Sequence, residues 1–267
     1  MGRPDSRRYA RSAVSARVAN GWLSTASWPR KNGQVLGADI ESYLADVVAR
    51  IGDGLGDRLV GAWLFGSGAL GDFDPATSDL DVQVVTTVRL ARAEREHLAA
   101  RVSHPALSCP VRGLELVIYA REDLDDALGP AFQLNLNSGP RMAQHVAYDP
   151  SEEPRFWFVL DVAIGREVGR PLAGPSPAEV FPELSAPLVR ASLQQALAWF
   201  AANDPRGGQT ALAAARASAW AEEGRWLAKG PAAVWLASRV ARELEQSFTS
   251  GVGGRTSPRA DAAGRPS

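Results

Sequence analysis

Two short runs of this sequence contain residues whose types and spacing suit phosphate chemistry. The first is Leu64-Phe65-Gly66-Ser67-Gly68-Ala69-Leu70-Gly71-Asp72-Phe73, and the second, a few residues on, is Ser78-Asp79-Leu80-Asp81. An apolar segment feeds Gly66-Ser67 into a helix start. Glycine lets backbone approach an anion closely, and first-turn N–H groups with the Ser67 hydroxyl can then cradle a phosphate. Asp79 and Asp81 stand two apart at the start of the next strand, so both carboxylates share one face while Leu80, Val82 and Val84 face the core. Paired carboxylates suit Mg²⁺, which takes oxygen ligands and bridges to substrate phosphates. A third acid, Glu115, lies in Gly113-Leu114-Glu115-Leu116-Val117-Ile118. An acid inside an apolar strand is costly to bury without a partner, and a divalent metal or a hydroxyl proton would supply one. Asp79, Asp81 and Glu115 are therefore expected to form a triad for metal-assisted transfer, in which one acid accepts the proton of an attacking hydroxyl.

Other polar and aromatic residues have simpler readings. Asp72 and Asp74 read as turn-formers in the loop. Asp204, Glu222 and Glu223 read as a solvated loop and helix face. Trp157, Trp220, Trp226 and Trp235 read as helix-packing residues. His97, His104 and His145 show no partner pattern, and Cys109 is the single cysteine, so neither an intrachain disulfide nor a zinc-ligand spacing is present.

The elements that must position these groups follow from periodicity. Ile40, Tyr43, Leu44, Val47, Val48 and Ile51 have helical spacing, stopped by Gly52 and Gly54. Residues 59–65 read as a buried strand, 80–86 as the next, 89–103 as a helix, 113–120 as a third strand, 122–128 as a short helix and 131–137 as a fourth strand. Beyond residue 152 the apolar period becomes helical, with candidates at 153–168, 186–202, 208–228 and 231–248 separated by PLAGPSP, NDPRGG and KGP. The expected organisation is a flexible segment over 1–36, an α/β domain over 37–150, a helical domain over 151–249 and a disordered tail over 250–267.

The 267 residues are 45% hydrophobic and 22% charged, which fits globular rather than disordered chain. The formal net charge of −1 lacks the basic excess of a dedicated nucleic-acid binder, so no nucleic-acid partner is expected. No apolar run approaches the roughly 18 residues of a membrane span, and the N-terminus has no apolar core of a secretory signal, so a cytoplasmic protein without a membrane partner is expected.

The pattern of Gly66-Ser67, a spacer, then Asp79-x-Asp81 resembles the DNA polymerase β-like nucleotidyltransferase superfamily. The longer run resembles the aminoglycoside adenylyltransferases, specifically the streptomycin/spectinomycin 3″/9-adenylyltransferase group. Leu114-Glu115-Leu116 is similar to the strand that carries that group's general-base Glu. Gly165-Arg166-Glu167-Val168 through Phe181-Pro182 has the cadence of its first C-terminal helices. Ala211-Leu212-Ala213-Ala214-Ala215-Arg216, followed by Lys229, resembles the segment whose Arg and Lys hold the triphosphate. The resemblance covers most of residues 40–240. It implies an α+β fold, with a nucleotidyltransferase mixed sheet and helices followed by a C-terminal helical bundle. It also implies Mg²⁺ as cofactor and ATP as co-substrate, Asp79, Asp81 and Glu115 on metal, Glu115 as base, and Gly66, Ser67, Arg216 and Lys229 on the nucleotide.

Two positions depart from that group. The Trp that packs on streptomycin falls near Asn137 here. The acidic pair before the Arg-bearing helix is replaced by Asn203-Asp204-Pro205-Arg206-Gly207-Gly208, where Arg206 would repel a cation. The resemblance thus implies transfer of AMP from ATP to a hydroxyl of a small polar acceptor, with an aminoglycoside antibiotic first in line and resistance as the outcome. The rival readings are a protein-modifying (AMPylating) nucleotidyltransferase and a non-catalytic nucleotide-binding or sensing protein. A roughly 100-residue helical extension favours a small acceptor held between two domains, and retention of all three acids favours turnover.

Overall fold

The computed structural model describes residues 35–204 and 206–252. The expected flexible segment over 1–36 and the tail over 250–267 lie almost wholly outside the described residues. In chain order the elements are α1 (Ala38–Leu55), β1 (Leu59–Leu64), α2 (Gly66–Leu70), β2 (Leu80–Thr86), α3 (Arg92–Val102), β3 (Leu114–Ala120), β4 (Phe132–Gly139) and β5 (Met142–Ala147). They continue as α4 (Phe156–Val168), β6 (Arg170–Ala173), α5 (Pro177–Val180), α6 (Ala186–Asn203), α7 (Gly208–Glu223) and α8 (Lys229–Val252). The fold is α+β: a mixed sheet of order β5-β4-β3-β2-β1-β6, followed by helices. Only β2 and β3 run parallel; the other neighbours are antiparallel.

Period-two alternation divides the sheet into two buried faces. Leu64, Leu80, Val82, Val84, Leu114, Leu116, Leu134 and Leu136 pack against Ile40, Leu44, Val47 and Ile51 of α1 and Leu98 and Val102 of α3. The opposite face carries Trp63, Phe65, Val85, Val117, Tyr119 and Phe132, which pack with Phe158 and Val162 of α4 and with Phe181. Because Asp81 and Glu115 have the parity of this second face, the helices that cover it also roof the acids. Close approach of α4 depends on Gly165, where a Cβ would lie 2.0 Å from the Phe65 ring.

Several boundaries differ from the sequence expectation for identifiable reasons. The short helix expected at 122–128 is only a 3₁₀ turn, Arg121–Asp123. Asp123 is drawn into a bidentate pair with Arg89, and Asp126 Oδ1 accepts from the Leu128 N–H at 2.8 Å, so neither side chain supports a helix there. β5 escapes a pattern search because it is an edge strand whose Ala143, Gln144 and His145 are exposed. β6 lies within the expected helical domain yet pairs with β1 at the other sheet edge, where Pro171 is tolerated. The helix expected to run to 228 stops at Glu223, where Gly224 turns left-handed (φ 66°). The Lys229-Gly230-Pro231 break is instead the first turn of α8, where proline lacks no needed N–H.

Candidate functional site

The acids are positioned by strand register. Asp81 on β2 pairs with Glu115 on parallel β3, and Glu115 pairs in turn with Asn137 on β4. Asn137 is thus half-buried in the same row as the acids. Asp79 sits just before β2 and is held by an ion pair to Arg112, which precedes β3. Gly66 follows β1 with φ +54°, and a Cβ there would lie 1.8 Å from Asp81 Oδ2. Both observations require glycine: the backbone is left-handed, and the space a side chain would occupy is filled by the carboxylate. The Phe65 N–H donates to the Asp81 carbonyl at 2.8 Å, which ties the end of β1 to the acid-bearing strand. Ser67 Oγ is buried and has no hydrogen-bond partner. A hydroxyl left unsatisfied at a cleft wall is the kind of group a bound oxyanion would complete.

One cleft of about 760 Å³ gathers Gly66, Ser67, Asp79, Asp81, Arg216 and Lys229. Glu115, half-buried on β3, does not line it but is hydrogen-bonded to Asp79, which does. Arg216 on α7 donates from Nε to the Leu227 carbonyl at 2.8 Å, which leaves its terminal nitrogens for other partners. Lys229 opens α8, and its backbone N–H donates to Asp72 Oδ2 at 2.7 Å across 157 residues of sequence. Asp72 is therefore more than a turn-former: it caps the last helix from the loop after α2. Asp74 does form a turn, accepting from the Ala76 N–H and the Thr77 hydroxyl, both at 2.9 Å. Asp204 accepts from the Thr210 N–H at 2.9 Å in the first turn of α7, so its carboxylate serves that helix.

Periodicity misses three participants. Asp161 on α4 lines the cleft beside the front-row acids, and its signal was present as the lone charge in Phe156–Ile164. Arg112 and Asp72 carried no such signal, because their partners are distant in sequence or unmarked by pattern.

Crowding of acids dominates the electrostatics. Burial, reinforced by Asp79 and Asp161, pushes the Glu115 carboxyl up to about 8. Burial raises Asp161 to about 7, with Asp79 adding to the rise and Arg216 opposing it. Asp81 is raised well above the carboxylate range by burial and then by Glu115, Asp79 and Asp161, against the pull of Lys229. Burial draws the Arg216 guanidinium below its ordinary range, while Asp72, Asp161 and Asp81 hold it up. Three acids that resist ionisation, gathered beside Asp79, form a site that a divalent cation would relieve. Among the described residues no three His, Cys, Asp or Glu side chains form a ready metal cage. Mg²⁺ does not need one, since it keeps waters and takes one or two carboxylates plus phosphate oxygens. Asp79 and Asp81, both open to the cleft, fit that requirement.

No protein-family model matches the chain, and no curated protein matches it in sequence. The fold does have solved counterparts. The chain is similar to spectinomycin adenyltransferase AAD(9) from Enterococcus faecialis, solved with ATP and spectinomycin, at a TM-score of 0.57 and 17% identity. The match covers 72% of this chain and 79% of that one. The likeness is one of fold: a mixed sheet followed by a helical C-terminal region. Among the described residues no helix is long and apolar enough to cross a membrane.

Proposed function

We propose that this protein is a Mg²⁺-dependent nucleotidyltransferase that moves AMP from ATP to a hydroxyl of a small polar acceptor, with an aminoglycoside-type antibiotic as the first acceptor to test. The observation that carries the reading is the fit of Asp81 into the space left by Gly66, beside the unsatisfied Ser67 hydroxyl, in one cleft with Arg216 and Lys229. Acids and cations gathered in one cleft are what an in-line displacement at a phosphate requires. The similar fold of an enzyme solved with ATP and spectinomycin supports it.

In this reading Asp79 and Asp81 would hold Mg²⁺, which when bound neutralises phosphate charge and steadies the leaving group. Ser67 donates its hydroxyl to a phosphate oxygen, and Arg216 and Lys229 hold the remaining phosphate charge. Glu115 accepts the proton of the acceptor hydroxyl. Its raised carboxyl and its hydrogen bond to Asp79 mean that it must lose its proton before serving as base. In this reading the sheet carries the acids and helices α4, α6, α7 and α8 line the rest of the cleft.

The test is pyrophosphate release from ATP and Mg²⁺ across a panel of aminoglycosides that includes spectinomycin. Asn137 offers no aromatic face, and Arg206 stands exposed near the cleft-facing helices, so spectinomycin should give a higher kcat/KM than streptomycin. Absence of ATP-dependent pyrophosphate release with every acceptor would remove the transfer reading in favour of nucleotide sensing.

A further inference from the structure

Asp79, one of the two acids open to the cleft, already faces a cation. Arg112 Nη1 donates to Asp79 Oδ2, and the Asp79 carboxyl is also hydrogen-bonded to Glu115. Arg112 lines the cleft together with Asp79, Asp81, Arg216 and Lys229. It is the one of these three cations that the sheet, rather than a helix, carries to the site.

The backbone around Arg112 is pinned, while its side chain stands open. The Arg112 carbonyl accepts from the Arg141 N–H at 3.1 Å, and the Gly113 carbonyl accepts from the Leu80 N–H at 2.9 Å. A Cβ on Gly139 would lie 2.4 Å from the Arg112 carbonyl, so the end of β4 closes tightly over the start of β3. From this fixed point the guanidinium extends on a three-carbon stem, with its side chain 42% exposed against 20% for Asp79. An ion pair this open to solvent holds its partners loosely. Arg216 is the opposite case, tied through Nε to the Leu227 carbonyl at 2.8 Å.

A guanidinium keeps its charge at any working pH, so proton loss never clears Arg112 from Asp79. A divalent cation must displace it or bind with a fixed positive charge alongside. A free cation brings nothing to offset that charge. A cation carried on a polyphosphate brings anionic oxygens, to which Arg112 can turn within the same cleft.

Resting on the transfer reading above, we infer that Arg112 is a removable stand-in for the metal at Asp79. It holds the carboxylate against free divalent cations and releases it to a cation that arrives on a nucleotide polyphosphate, which Arg112 then binds. Metal and nucleotide binding are thereby coupled through one side chain.

The experiment titrates Mn²⁺, which shares the oxygen preference and octahedral geometry of Mg²⁺, into the full chain, with the free ion read by its electron paramagnetic resonance signal. Without nucleotide, Arg112→Ala should bind Mn²⁺ about three- to tenfold more tightly than the unaltered protein, and the gain should shrink as salt screens the charge that was removed. With the metal supplied as its complex with α,β-methylene-ATP, the sign should reverse: Arg112→Ala should bind the complex about three- to tenfold more weakly. A merely structural role would not give opposite signs in one variant. Arg112→Lys, which keeps the charge, should stay close to the unaltered protein without nucleotide. Arg112→Gln, which loses the charge and keeps most of the stem, repeats the test should Arg112→Ala unfold. Unchanged or weaker binding of Mn²⁺ alone in the neutral variants would overturn the inference and leave the transfer reading intact. So would unchanged binding of the nucleotide complex. Failure of that complex to bind the unaltered protein would remove the transfer reading, and tighter Mn²⁺ binding in Arg112→Ala would then still uphold the guanidinium as the stand-in at Asp79.

Discussion

The two walls of the cleft are built by different means. The acid wall comes from a short stretch of chain, Gly66 to Glu115, arranged by strand register and one backbone contact. The helical wall draws on residues from Trp157 to Lys229, spread over α4, α6, α7 and the start of α8. The first wall contains charge that is costly to bury, the second mainly apolar area. Chemistry common to a reaction class can sit in the first wall, where geometry is rigid and local. Selectivity for one acceptor can sit in the second, where a single helix position changes shape or charge without disturbing the sheet.

The sharpest way to break this contrast is to alter the acid wall. Asp81→Asn should lower turnover by at least about a hundredfold, because it removes charge from the metal site. Its Tm should hold or rise, since it also relieves repulsion among Glu115, Asp79 and Asp161. Near-normal turnover would show that the wall is structural. Glu115→Gln sharpens the picture by a different signature: the chemical step should slow by roughly 10²–10⁴-fold, with ATP and Mg²⁺ affinity kept. Equal losses of nucleotide affinity in both variants would place Glu115 among the metal-holding residues.

Changes at the seam between the walls should be milder. Asp72→Ala removes the acceptor for the Lys229 N–H, and loss of such a cap costs about 1 kcal/mol. Unfolding measurements should show that loss, together with a several-fold rise in KM for ATP as Lys229 and Arg216 lose a shared anchor. An unchanged KM would separate the cap from the nucleotide site.

The smallest effect expected is one of pH. Glu115, raised from 4.5 to about 8, and Asp161, raised from 3.8 to about 7, hold protons more tightly folded than unfolded. Their contribution to stability is therefore complete below about pH 4 and is lost as pH rises through 7 to 8. Thermal melts of the metal-free protein should show Tm falling by a few degrees between pH 5 and pH 8, and Mg²⁺ with ATP should flatten that slope and release protons on binding. A Tm that climbs with pH over this window would contradict the crowding of acids on this wall.

The sequence alone determined a good deal of this protein. Strands 80–86 and 113–120 were legible because both their faces are buried, so apolar residues flank each acid on both sides. Their parity already set Leu80, Val82 and Val84 against Asp81, since alternation is a local property of extended chain. The Gly66-Ser67 turn and the Asp79/Asp81 spacing were legible for the same reason. Edge strands β5 and β6 were not, because an edge needs no apolar alternation and tolerates Pro171. Tertiary structure alone decided that Asp161 joins the acids, that Asp72 caps a helix 157 residues away, and that Glu115 is hydrogen-bonded to Asp79. Periodicity reports which face of its own element a residue occupies. It says nothing of which other element that face will meet, and here that meeting is made by the packing of α4 onto Phe65 and by a hydrogen bond between distant loops.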